Sequence, residues 1–422
     1  MKLNFKRNAR IVVFAMAILA LAIAFKVGLF SERPIYIAVV STTSGEYQAN
    51  GRAMLNAVRL QIARVNQAGG INGKPVELLE FDDEGDSEVA QKIASEIAAQ
   101  NKAIVVLGHY FSNACVAGGE VYQKAGIPAI TPSCTADHVT KGNDWYFSVV
   151  PNNGAEGTFL ANYAKRVMKH NRVTIVYDQD DDYSRSLVNG FENPFRGLRG
   201  TIQNKWIVNA KAGNMDEQIN AVTNAFLRKN PGLIFLALHA NEAKKLIVSM
   251  RRKGLQYPIL GGDAVGNINF ATRFTEEPEE RLQPGYFSDG IYAAAPLIFD
   301  IAGERLQQAR SLFIRRYGEE PNWAVATAFE AAMVAVEAMK ELNIQSQPEN
   351  LVEERQKLRD YLAKRTSMKK ALKGFSGPFY FDKHGNAVKP LAIGVFKHQQ
   401  FISALTQFQP VDDVQHVILR KN

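Results

Sequence analysis

The chain has 422 residues, too many for a single hydrophobic core and enough for two lobes of ordinary size. Hydrophobic residues make up 46% and charged residues 22%, which excludes a disordered polyelectrolyte. The formal charge is +8, yet no Lys/Arg stripe interleaves with aromatics, so no nucleic-acid partner is expected, and part of the excess sits at the ends (Lys2, Lys6, Arg7, Arg10, Arg420, Lys421).

Residues 1–32 read as a signal peptide or an N-terminal membrane anchor. Four basic residues precede an apolar run from Ile11 to Phe25, and Ala20-Leu21-Ala22 and Ala22-Ile23-Ala24 offer small-residue cleavage sites. Apolar character resumes after Lys26, so 11–30 is also long enough to span a bilayer. Either reading puts the rest of the chain in the periplasm or on the outer face of the cytoplasmic membrane.

A first βα series follows. Strand Ile35–Val40 leads to a helix with Met54, Val58, Ile62 and Val65 at helical spacing, stopped by Gly69-Gly70. Strand Val76–Phe81, a helix capped by Ser87, the unbroken apolar strand Ala103–Gly108, a helix over 113–125 and strand Ile127–Thr131 complete it. A second series starts after Trp145–Val150, with helices over 155–169, 183–197, 215–229 and 241–253. Strands Val173–Tyr177, Trp206–Val208, Leu233–Ala237 and Pro258–Leu260 alternate with them. Residues 296–366 read as mostly helical, and strands return at Phe379–Phe381 and Leu391–Phe396. The fold class is therefore α/β, with two Rossmann-like lobes of parallel sheet and a chain that crosses between lobes more than once.

Loops after strands collect at the carboxyl edge of such sheets, where small molecules bind. Here they carry Tyr47, Ser112, Ser133-Cys134-Thr135, Tyr183, His239 and Asp263. Ser112 and Thr135 offer hydroxyls beside unpaired helix N–H groups, a combination that suits an anion. Asp263, behind two glycines, can hold an ammonium group. The structural alternatives are a plain N-cap for Ser112 and a turn former for Asp263. No GxxxxGK[ST], HExxH or GxSxG occurs, and no cofactor is implied. Asp178, Asp180 and Asp182 alternate like an EF-hand opening, but Tyr183 and Asn189 stand where that loop needs Gly and Glu, so no metal site is expected. Two cysteines, Cys115 and Cys134, form no framework. They lie near adjacent strand ends and can pair, although two buried small residues is the favoured reading.

The run Val65–Leu78 (VNQAGGINGKPVEL), together with 107–112, 125–135, 176–178, Asp182-Tyr183, 258–263 and 377–382, resembles the leucine/isoleucine/valine-binding protein family, type I periplasmic solute-binding proteins of ABC transporters. The resemblance runs from residue 35 to about 410. It implies a clamshell with three crossovers, with lobe 1 at 35–150 plus 285–375, lobe 2 at 151–284 plus 376–410, and a C-terminal tail at 411–422. It further implies that Ser112 and Thr135 meet a ligand carboxylate and that backbone at Ser133 helps hold the ammonium. Tyr183, His239 and Asp263 come from the second lobe, with Tyr47 as a wall. Two departures stand out: His239 occupies a tyrosine position, and Asp263 replaces a glutamate one methylene longer.

The expected function is capture of a small-molecule ligand (an amino acid, an amide or a small carboxylate) and its delivery to an ABC permease in the membrane. The alternative is a membrane-tethered ligand-sensing ectodomain. An enzyme with a Cys134 nucleophile and His138 or His239 as base is the remaining, disfavoured reading.

Overall fold

A computed structural model describes residues 33–411 and 414–419, so the signal or anchor expected at 1–32 lies outside the described residues. Among the described residues no helix is long and apolar enough to cross a membrane.

The first series is β1 (Ile35–Ser41), α1 (Gln48–Gln67), β2 (Val76–Asp82), α2 (Ser87–Gln100), β3 (Ala103–Leu107), α3 (Ser112–Ala125), β4 (Ala129–Thr131) and β5 (Tyr146–Ser148). Its five strands run parallel in the order β2-β1-β3-β4-β5. β3 is buried along its whole length because helices cover both faces of the sheet. α1 buries Met54, Val58, Ile62 and Val65, the face expected from their spacing. Its exit needs Gly70: the residue has φ +78°, and a Cβ there would lie 1.9 Å from the Lys74 carbonyl oxygen. α2 is capped by Asp86 rather than Ser87. The Asp86 carboxylate accepts from the Glu88 and Val89 amides, a cap worth about 1 kcal/mol, and Ser87 is the first helical residue.

The second series is α4 (Asn153–Asn162, continued by a π turn over Tyr163–Val167), β6 (Arg172–Tyr177), α5 (Asp182–Gly197), β7 (Thr201–Ile207), α6 (Met215–Arg228), β8 (Leu233–Ala237), α7 (Ala240–Arg252), β9 (Ile259–Gly261) and β10 (Tyr292–Ala295). The chain then returns with α8 (Glu304–Tyr317), α9 (Trp323–Glu341) and α10 (Leu351–Ala363), which pack on the first lobe. α9 is apolar almost all round and is accordingly buried almost all round. The short strands β11 (Leu372–Lys373), β12 (Pro378–Phe381) and β13 (Ala387–Val388) form a small antiparallel sheet. A last crossing delivers β14 (Ala392–Lys397) and β15 (Gln400–Ser403) to the second sheet, ordered β15-β14-β10-β9-β8-β6-β7. β16 (Thr406–Val411) and β17 (Val414–Leu419) then pair as a hairpin, so the expected tail carries a strand.

Three crossovers therefore join two α/β lobes, as expected, but the later boundaries fall elsewhere. β10 belongs to the second sheet, between β9 and β14, which corrects the expectation that 285–375 lies in lobe 1. Residues 376–388 pack on lobe 1 rather than lobe 2: Asn386 bridges Ser148, and the Phe381 ring lies 5.3 Å from Phe147. The second and third crossings thus lie near Pro296 and Pro390. Strand character is local, but the sheet a strand joins is decided by which edge it meets.

Candidate functional site

On the first lobe, β3 runs out through Gly108–Phe111 into α3, which opens at Ser112. The Ser112 side chain is buried, and its Oγ accepts from the Ala136 amide at 3.2 Å, tying the loop after β3 to the loop after β4. Ser133 donates its hydroxyl to the Tyr110 carbonyl at 2.9 Å, so that hydroxyl serves the backbone. Thr135 is 2% exposed, and its carbonyl accepts from the Asn153 amide at 2.7 Å. Cys115 and Cys134 are joined by a disulfide, which corrects the reading of two unpaired small residues. Adjacent parallel strands bring the first turn of α3 and the loop after β4 within 6.5 Å, Cα to Cα. The disulfide also removes the thiol that an enzymatic reading required, and no free cysteine occurs among the described residues.

A buried chain of polar groups holds this edge from below. The His109 ring bridges Asp83 (Nδ1 to Oδ2, 2.8 Å) and the Tyr122 hydroxyl (Nε2, 3.0 Å), and Thr42 donates to Asp83 at 2.7 Å. Burial works to raise the Asp83 pKa, but these hydrogen bonds, with one from the Gly85 amide, outweigh it and hold the carboxyl below its usual value. Gly118 makes room for the imidazole: a Cβ there would lie 2.5 Å from Nε2.

On the second lobe, Asp181 caps α5 by accepting from the Ser184 amide at 2.8 Å, which sets Tyr183 inside the first turn. The Tyr183 hydroxyl accepts from the Ala264 amide at 3.3 Å, and its ring stacks on His239, 4.9 Å between centroids. His239 stands at the start of α7 with Nε2 3.4 Å from Asp181 Oδ1. Burial disfavours its charge, but the Asp181 carboxylate outweighs this and raises the imidazole pKa to about 9. Asp263 follows β9. Gly262 before it is required, since a Cβ there would lie 2.4 Å from the Tyr183 hydroxyl. The Asp263 amide donates to Glu156 Oε1 at 2.8 Å, and its carbonyl accepts from the Trp323 indole at 3.1 Å. Its side chain is buried, and Oδ2 has no hydrogen-bond partner. Burial pushes its carboxyl up to about 7, although Tyr183 and the His239 charge pull the other way. Glu156 is pushed well above its usual value by burial and by Asp263 beside it.

The two edges touch. The Asn241 amide donates to the Tyr47 hydroxyl at 3.3 Å, and the Asp182 amide donates to Asn113 Oδ1 at 2.7 Å. The Phe111 ring packs edge-on against both His239 and Tyr47, 5.0 Å between centroids in each case. A cleft of about 330 Å³ opens between the lobes, with Tyr47, Phe111 and His239 among its walls. The structure thus links His239 and Asp263 to Tyr183, brings Tyr47 to His239 with ring centroids 6.3 Å apart and Phe111 against both, and gathers Ser112, Ser133 and Thr135 on the facing edge. Glu156, Asp181 and Trp323 escaped the sequence reading, which includes Tyr110 and Phe111 only as part of the motif at 107–112. Phe111 and Asp181 directly precede residues it named, whereas Glu156 and Trp323 reach the site only through tertiary packing. Among the described residues no three His, Cys, Asp or Glu side chains converge as a metal ion would require. Asp178 instead accepts from the Asp180 and Ala210 amides, at 2.8 Å each.

A family model described as periplasmic binding protein matches residues 34–400. An amino acid binding protein of Pseudomonas aeruginosa is 27% identical over 263 residues, 62% of this chain and 69% of that protein. The Leu/Ile/Val-binding protein of Escherichia coli is 24% identical over 289 residues, 68% and 76% of the two chains. Among solved structures, LivJ of Streptococcus pneumoniae in complex with isoleucine superposes with a TM-score of 0.75 at 24% identity, over 92% of this chain and 100% of that one. A solute-binding protein of R. palustris in complex with benzoate superposes at 0.73 and 18% identity, over 88% and 95%. The structural matches establish the fold.

Proposed function

Because this chain belongs to the periplasmic binding protein family, we propose that it captures a small amino-acid-like ligand between its two lobes and hands it to an ABC permease. The family implies an extracytoplasmic location, and a buried disulfide suits an oxidising compartment. The observation that carries the reading is the buried Asp263 carboxyl, whose Oδ2 has no partner. A carboxylate in that position is costly until a cation reaches it. A ligand ammonium supplies that cation. The ligand carboxylate goes to the opposite edge, where the Ser112 and Thr135 hydroxyls flank the N-terminus of α3. Backbone at Ser133 completes the ammonium contact, and Tyr183, His239 and Tyr47 wall the ligand.

The test is a thermal-shift screen of the purified protein against amino acids, their amides and small carboxylates. Stabilisation by amine-bearing ligands, lost in Asp263→Asn, supports the reading through mass-action linkage. No shift with any amino acid removes the amino-acid assignment. A second reading, a membrane-tethered sensor ectodomain, is favoured by the apolar run over 11–30. A mature N-terminus near residue 23 would count against tethering, and one at Met1 would favour it.

A further inference from the structure

We infer that the cleft at the mouth of the interlobe site is a subsite for a second positive group, so that the captured ligand carries an amine or guanidinium at its far end. The inference rests on the capture reading above and goes further, by naming the charge class of the ligand.

The cleft draws walls from both lobes and shares Tyr47, Phe111 and His239 with the site. Its remaining lining is rich in carboxylates: Glu46 and Glu84 come from the first lobe, and Asp178, Asp180, Asp181 and Glu242 from the second. Four of these already have partners: Glu46 accepts from the Asn241 side-chain amide, and Asp180 from that of Asn209. Asp178 accepts from two backbone amides, and Asp181 caps α5 and pairs with His239. Lys211, the lysine on this lining, is turned to solvent and lies 3.8 Å from Asp86. Glu242 is different. It sits in the first turn of α7, is 8% exposed, and its Oε2 is buried with no hydrogen-bond partner. That oxygen lacks a donor, and an ammonium or guanidinium would supply one as a charge-assisted hydrogen bond. Burial raises the Glu242 pKa despite the nearby His239 charge, the direction expected of a carboxylate whose cation has yet to arrive. A metal ion is the poorer occupant, because no three ligating side chains converge among the described residues. An organic cation needs only one or two carboxylates beside an apolar wall, which Glu242, Phe111 and Tyr47 provide.

The test is isothermal titration of the wild-type protein and of Glu242→Gln with arginine, lysine, leucine and glutamine. The expected result is that wild type binds arginine or lysine at least tenfold more tightly than leucine or glutamine. In Glu242→Gln that ratio should fall toward one. A wild-type ratio of one or below overturns the inference while leaving amino-acid capture standing. A ratio unchanged in Glu242→Gln overturns the role of this cleft. No binding of any of the four overturns this inference and leaves the capture reading to the wider thermal-shift screen. The wild-type comparison needs no variant, so it decides the matter even if Glu242→Gln fails to fold.

Discussion

Cys115 lies in the first turn of α3, three residues after Ser112, and its disulfide partner Cys134 stands between Ser133 and Thr135. One covalent link therefore ties together the two loops that present the hydroxyl edge of the site. Ser112 adds a second tie through its hydrogen bond from Ala136. Both sulfurs are buried, so the link is part of the scaffold beneath the site.

Replacing both cysteines by serine should therefore lower stability and loosen the site together. For a sequence separation of 19, loss of the cross-link is worth about 3 kcal/mol. Chemical denaturation checks the stability, and titration with a ligand found in the thermal screen checks affinity. Equal affinity in the double variant would mean that the other contacts alone hold the loops in register.

Asp263→Asn should separate stability from function. The folded carboxyl titrates at about 7, well above the 3.8 of an unperturbed aspartate, so its folding contribution is full below about 3.8 and lost as pH rises through about 7. The asparagine should therefore make the ligand-free protein more stable at pH 8. It should also cost on the order of 3–5 kcal/mol in binding of an amine-bearing ligand. A bound ammonium favours the ionised carboxylate, so wild-type binding should release a proton at pH 6, and affinity should rise with pH up to about 7. Titration calorimetry in buffers of different ionisation enthalpy reads this directly. No buffer dependence at pH 6 would place the ammonium away from Asp263.

Ser112→Ala should weaken binding of carboxylate-bearing ligands by about 1–3 kcal/mol, less than the loss at Asp263, because a neutral hydroxyl gives way rather than a buried charge. Part of that loss comes through the Ala136 amide, which loses its acceptor. An amide ligand without a carboxylate should lose less than its parent acid, and the ratio between the two distinguishes anion contact from loop distortion.

His239 sets a second pH window. Its pKa is raised to about 9 from the 6.5 of a free imidazole, so its stabilising contribution is complete below about 6.5 and disappears as pH rises through about 9. Burial works against that charge, and the Asp181 carboxylate 3.4 Å away sustains it. Melting temperature should fall between pH 6.5 and 9, and His239→Gln should flatten that part of the profile. A wild-type slope retained in the glutamine variant would assign it to another group.

Much of the scaffold was legible in the chain because it depends on near neighbours. The spacing of Met54, Val58, Ile62 and Val65 specifies one helical face, and the unbroken run Ala103–Leu107 specifies a strand covered on both sides. A loop that follows a parallel strand reaches the carboxyl edge whatever its partner strand is, which is why the sequence alone places Ser112, Thr135, Tyr183, His239 and Asp263 at that edge.

The rest needed the tertiary structure, because it depends on residues far apart in sequence. Ala293 does not say that β10 will lie between β9 and β14, and Phe381 does not say that it will pack against Phe147. Only the juxtaposition of β3 and β4 brings Cys115 to Cys134. Only the packing of α4 and α9 around the loop after β9 puts Glu156 and Trp323 on the backbone of Asp263, while its carboxyl keeps one oxygen unpaired. Periodicity along the chain determined the elements and the edge they share. The desolvation and charge of the site came from groups far apart in sequence that meet in the folded second lobe, since burial and Coulomb energy depend on distance in space and not on distance along the chain.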